Sequence, residues 1–150
     1  MRPSLDRARW RTLVLLLSFV ACAALAPQAV RAQDPRAAAA QRVAREWLAL
    51  VDKLDAEASW KAAGERFRSA FSPTYWVDKL RREREARGTL VQRAAADTAF
   101  ANSGVGLPEG GNYAIVAFRS SFAYQIDARE EVMLEVGPDY AWHVIGYVIQ

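Results

Sequence analysis

His143 is the only histidine in the 150-residue chain, so acid–base chemistry near neutral pH would fall to it first. It stands between Trp142 and Val144, whose side chains should face away from its own in an extended segment. That setting describes a surface or half-buried strand histidine better than a catalytic one. One histidine cannot build a multi-histidine metal site, and the sole cysteine, Cys22, lies far away in an apolar run, so no metal and no cofactor are expected. Glu130 and Glu131 are neighbouring carboxylates in another extended run. They point to opposite faces and cannot work as an acid–base pair. Glu130 shares its face with Val132, Leu134 and Val136, which marks that face for burial. A carboxylate there needs a cation or hydrogen-bond donors, because an isolated buried charge is too costly. Two roles are open to it, a structural ion pair or the wall of a ligand pocket.

Other candidate chemistry is thinner. Ser120 and Ser121 lack a glycine elbow and a nearby base, which argues against a serine hydrolase. The glycine-rich stretch 104–111 is not followed by Lys-Ser/Thr and does not lead from strand to helix, so it is no phosphate loop. Arg81, Arg82, Arg84 and Arg87 form a locally basic run, but Glu83 and Glu85 interleave with them, as on a solvated helix face. Four tryptophans, Trp47, Trp60, Trp76 and Trp142, either fill a core or line a cavity.

These residues need a scaffold, and the period of the apolar pattern supplies one. Asp34-Pro35 is a helix start, with an acceptor at the cap and proline in the first turn. Ala40, Val43, Ala44, Trp47, Leu50 and Val51 then keep the spacing of one buried helical face. Ala56, Trp60, Ala63, Phe67, Ala70 and Phe71 predict a second helix. A third begins at Ser72-Pro73, buries Trp76, Val77 and Leu80, and stops near Gly88. Beyond it the period changes. Residues 89–99 make a weak strand, diluted by alanine, and 102–112 form a loop. The β-branched and aromatic stretches 113–123, 130–136 and 140–149 read as strands, the last two joined in a hairpin by Gly137-Pro138-Asp139. Helices followed by strands predict an α+β domain over 33–150. Its three N-terminal helices would pack on one face of a roughly four-stranded antiparallel sheet.

The charge distribution bears on address and partners. The formal charge is +3, from 20 Lys/Arg against 17 Asp/Glu. Five of the basic residues and one acidic residue fall within 1–32, leaving 15 against 16 and a net charge of −1 for the rest. No nucleic-acid partner is expected of such a domain. The first segment reads instead as an export signal. Arg7, Arg9 and Arg11 precede an apolar run over 12–26, Pro27 breaks it, and Ala29-Val30-Arg31-Ala32 offers a cleavage box. Cutting after Ala32 removes Cys22 and leaves a domain in the periplasm or outside the cell, with no membrane span and no thiol chemistry. An uncleaved anchor would need roughly 20 apolar residues, and a lipid-bearing Cys22 would need a better box than Phe19-Val20-Ala21.

Several landmarks together resemble a bacterial exported family catalogued as domain of unknown function 4019. They are Trp47-Leu48, Val51-Asp52, Ser59-Trp60, Phe67, Ser72 and Trp76, then Arg84, Gly88 and Arg93. Tyr113, Phe118, Ser120 and Phe122 follow, and the pattern closes with Glu130-x-Val132-x-Leu134 and Trp142-x-Val144-x-Gly146-Tyr147-x-Ile149. Two positions depart from it. Ala86-Arg87 replaces a Pro-Leu pair, and Tyr140 follows Asp139 where the family tends to have glycine. The resemblance implies a compact exported domain, brings no established activity, and extends distantly to the nuclear-transport-factor-two fold, a helical cone over a curved sheet. Arg84 and Arg93, both in this pattern and near the helix-to-sheet junction, are the candidate partners of Glu130. Trp76, Tyr113 and Tyr147 complete the candidate site. The expected function is non-catalytic, the binding of a small apolar ligand or an envelope protein, with homodimerisation compatible; a pocket-containing hydrolase or isomerase is the alternative.

Overall fold

The computed structural model describes residues 34–104 and 106–150; the expected signal segment and its cleavage box lie outside the described residues. Helix α1 (Pro35–Asp52) starts as its cap residues dictate, with the Asp34 carboxylate accepting the Arg36 backbone N–H at 2.8 Å. Ala40, Ala44, Trp47, Leu48 and Val51 form its buried stripe. The third helix expected from sequence, from Pro73 to Arg87, repeats the device, its Tyr75 N–H donating to the Ser72 hydroxyl. It ends at Gly88, whose φ of 77° suits a residue without a side chain.

The single second helix expected through Phe71 is two, so the described domain has four helices rather than three, and the Pro73–Arg87 helix is α4. Helix α2 (Ala56–Ala62) and helix α3 (Glu65–Ala70) are separated by Ala63 and Gly64, both extended. The apolar spacing runs through the break, which is why periodicity misses it. Tertiary contact causes it: the Gly64 N–H leaves the helical pattern and donates to the Val144 carbonyl at 2.8 Å. A Cβ on Gly64 would lie 3.0 Å from the His143 Cβ and 3.1 Å from that carbonyl, so glycine permits the approach.

Four strands follow: β1 (Leu90–Ala101), β2 (Tyr113–Phe122), β3 (Ala128–Val136) and β4 (Trp142–Ile149). They pair antiparallel in the order β1-β2-β3-β4. The segment expected to be a weak strand is the longest of the four. Two bulges interrupt it, placing Leu90, Arg93, Ala95, Thr98 and Phe100 opposite Phe122, Ser120, Phe118, Val116 and Ala114. Directly paired residues share a face. Its inward residues are therefore spaced 3, 2, 3, 2, a rhythm that simple alternation cannot detect. The last strand begins at Trp142 rather than 140, because Gly137–Ala141 is spent on the turn, with the Gly137 N–H on the Ala141 carbonyl at 2.9 Å.

One apolar core draws on both halves. Ala44, Trp47, Leu48, Phe67, Trp76 and Leu80 from the helices cluster with Val116, Phe118, Val132, Leu134, Val144 and Ile149 from the strands. Trp47 and Trp76 are core rings, 5.6 Å apart between centroids, and Phe67 meets Trp76 edge-on at 5.0 Å.

Candidate functional site

Glu130 is fully buried, and both its oxygens are occupied. Oε2 accepts from Arg93 Nε at 2.6 Å and from the Ser120 hydroxyl at 2.5 Å. Oε1 accepts from the Tyr147 hydroxyl at 2.7 Å and from Arg84 Nη2 at 3.2 Å. A second carboxylate closes the figure. Asp52 takes both terminal nitrogens of Arg93, at 2.6 and 3.0 Å, and Arg84 Nη2 at 3.0 Å. Two guanidiniums thus alternate with two carboxylates in a ring whose formal charges cancel, which is the condition for keeping four ions out of water.

Each member arrives by a separate local rule. Asp52 is the last residue of α1 and continues the Ala44–Leu48 step of its buried stripe. Arg84 lies one turn before the end of α4 and is the residue of the basic run that turns inward. Its neighbours on that helix pair locally, Arg81 with Asp78, and both Lys79 and Arg87 with Glu83. Arg93 stands opposite Ser120, and Glu130 opposite Phe118, so all three polar residues project from one side of the sheet. Tyr147 reaches the same side because of a third bulge. Leu134 pairs with Val144 but Met133 with Gly146, so Ile145 is extra, and Val144 and Tyr147 share a face despite an odd separation.

The electrostatics follow from this packing. Burial pushes the Glu130 carboxyl up, but the hydrogen bond and charge of Arg93, with the Ser120 and Tyr147 hydroxyls, outweigh it and hold the group below its ordinary 4.5. Burial and the adjacent Glu130 charge raise the Tyr147 phenol. Burial works against the Arg93 charge, yet Asp52 and Glu130 more than compensate, so that guanidinium is held protonated. Among the described residues Arg84 Nε and Nη1 are buried with no hydrogen-bond partner, while its guanidinium carbon sits 4.8 Å from the Phe122 ring centroid. The ring face supplies the attraction that oxygen acceptors do not. Glu130 has no exposed surface, and its two oxygens accept four hydrogen bonds from within the site. The ring ties α1 and α4 to β1 and β3.

The other candidates lie elsewhere. Trp76 belongs to the aromatic core, its indole N–H donating to the Ser59 hydroxyl at 2.9 Å and its ring 6.3 Å from that of Tyr147. Tyr113 sits at the far end of β2, its hydroxyl donating to the Pro108 carbonyl at 3.1 Å. His143 is half-buried, and its Nε2 meets both Asp139 oxygens, at 2.9 and 3.0 Å. That pair borders a polar cavity of about 520 Å³ with Lys61, Arg68 and Glu135. Sequence reasoning does not reach Asp52 as the second acceptor for Arg84 and Arg93, nor Ser120 as a donor to Glu130. Asp52 is nonetheless readable, since it falls on the apolar stripe of α1 and a charge there requires a partner.

A separate cavity of about 680 Å³ opens where the start of α1 meets the ends of the strands. Phe100, Tyr113, Val136 and Trp142 give it apolar surface, Asn102 and Asn112 give it amides, and Arg36 and Tyr140 stand among its walls. The Phe100 and Trp142 rings are 6.2 Å apart, and the Arg36 guanidinium lies 4.6 Å from the Phe100 centroid. Arg36 Nη2 is paired with Asp34 at 2.9 Å. Among the described residues no three His, Cys, Asp or Glu side chains gather as metal ligands would, and no helix is long and apolar enough to cross a membrane.

A solved structure from Catenulispora acidiphila is 16% identical to this protein, covering 75% of this chain and 88% of its own, with a TM-score of 0.46. No curated protein matches the chain. The family model described as protein of unknown function DUF4019 matches residues 43–147, a span that runs from the first buried stripe to Tyr147. The chain belongs to the DUF4019 family.

Proposed function

We propose that this is an exported, non-catalytic domain that binds a small molecule in the cavity beside Phe100 and Trp142. The observation that carries the reading is that cavity itself. At about 680 Å³ it has the size of a small-molecule site and mixes aromatic walls with a few polar groups. The charged ring supports the non-catalytic part, since its buried carboxylate is fully engaged. We read the four helices as covering the sheet face that carries Val116, Phe118 and Glu130, with the ring as their fastening and the cavity as the open end. Export rests on the Arg-rich start, the short apolar run and the cleavage box.

A fragment screen followed by NMR tests this. Binding should perturb Phe100, Asn112 and Trp142 and leave Glu130 and Tyr147 unmoved. Perturbations centred on Glu130, or no binder at all, would overturn the reading. The hydrolase or isomerase alternative has one observation in its favour, the Asp139–His143 pair beside its own cavity. It predicts a turnover that His143→Gln abolishes.

A further inference from the structure

The residue that stands out at the cavity is Tyr140. Its φ is 59°, in the left-handed region where a side chain is strained. The turn explains the position: Pro138 and Asp139 form its corners, the Tyr140 N–H donates to the Gly137 carbonyl at 3.0 Å, and the chain re-enters the ladder at Trp142. Hairpins of this kind ordinarily put glycine at the left-handed residue. No side-chain hydrogen bond or ring contact of Tyr140 among the described residues offsets the strain. Tyr140 is 94% exposed, and its ring contacts no other ring among the described residues. A free aromatic face is held at the wall of a cavity at a conformational cost.

The remaining walls define what would meet that face. Phe100 and Trp142 add aromatic surface, and Asn102 and Asn112 each offer a donor and an acceptor. Arg36 is not a free cation, because Asp34 takes its Nη2 at 2.9 Å and its Nε at 3.3 Å. An anionic ligand would therefore gain little net attraction. A wholly apolar one would strip water from two amides and leave them unpaired. A sugar ring satisfies both conditions, with C–H faces to lie on aromatic rings and hydroxyls to pair with amides. We propose, resting on the small-molecule reading above, that the cavity is a binding site for neutral saccharides and that Tyr140 is the platform on which a pyranose ring stacks.

The test is titration of the purified full chain with chitotriose, cellotriose, trigalacturonate and indole, read by tryptophan fluorescence and NMR. At least one neutral trisaccharide should bind, with shifts at Asn102, Asn112 and Trp142. Tyr140→Phe should retain that affinity, and Tyr140→Ala should lower it by ~10-fold or more. Tyr140→Gly should lower it equally while raising Tm by ~2–4 °C, since glycine relieves the backbone. That opposite movement separates lost binding from lost folding. If indole binds in the cavity and no saccharide does, the saccharide assignment falls and the small-molecule reading stands. Preference for trigalacturonate would refute the neutrality argument and with it the proposal. Failure of all four ligands would overturn the saccharide assignment, and the fragment screen then decides the small-molecule reading.

Discussion

Replacing Glu130 by alanine asks what the charged ring is worth. The substitution removes one of two carboxylates and the acceptor of four hydrogen bonds, from Arg84, Arg93, Ser120 and Tyr147. Arg93 keeps its two contacts to Asp52, and Arg84 keeps one. The ring is then left with an uncompensated positive charge among groups that water scarcely reaches. Breaking a buried pair in this way costs about 3–5 kcal/mol. For a domain of roughly 115 residues the unfolding entropy near the midpoint is about 0.25 kcal/mol/K, so Tm should fall by ~12–20 °C. Scanning calorimetry measures it directly. Arg93→Ala alone should also be costly, and the double variant should cost less than the two singles together, because it removes a matched pair. A Glu130→Ala drop of less than ~4 °C, or strict additivity with Arg93→Ala, would show that the ring does not hold the fold together.

Acid should expose the same carboxylate. Its folded pKa lies below the ordinary 4.5, so its contribution is complete above that value and fades as pH falls through the folded one. Urea midpoints of the wild type should drop as pH falls below the ordinary 4.5, and Glu130→Gln should show a shallower decline; parallel curves would contradict the assignment. Gly64→Ala should destabilise by about 1 kcal/mol with an unchanged urea m-value, because its Cβ crowds His143 and the Val144 carbonyl; a neutral result would mean that β4 can yield there. Ser72→Ala should cost about 1 kcal/mol through the lost cap of α4, read by urea denaturation. Intact mass of the protein from the cell envelope should correspond to a chain beginning at Gln33; a species retaining 1–32, or lipid on Cys22, would refute cleavage after Ala32.

What the sequence reveals depends on whether the determinant is local. The caps at Asp34 and Ser72, the stripe of α1 and the final hairpin are written in neighbouring residues, and they are legible. The break at Gly64 is not, since its cause is the Val144 carbonyl, far along the chain in β4. The long first strand is faint because two bulges scramble its alternation. Glu130 can be marked as buried from its own strand, and the family pattern names Arg84 and Arg93. The pattern also holds Asp52 and Tyr147, and Tyr147 is a candidate from sequence, but their contacts do not emerge that way: the first needs the fold to bring α1 against β1, and the second depends on the extra residue at Ile145.

The ring also bears on the order in which the chain folds. Its ionic contacts join residues 32, 37, 41 and 46 positions apart, and they come from α1, α4, β1 and β3. Two elements at a time can bring together a matched pair, such as Asp52 with Arg93 or Arg84 with Glu130, but the full set of ionic contacts forms only once all four are in place. Local helix formation and the β3–β4 hairpin need none of these long-range contacts, so completion of the ring is expected late, after the rate-limiting barrier. Interactions made that late act chiefly on the unfolding rate. The ring is then a latch on the finished fold, lengthening the life of the native state while leaving the speed of its formation almost untouched.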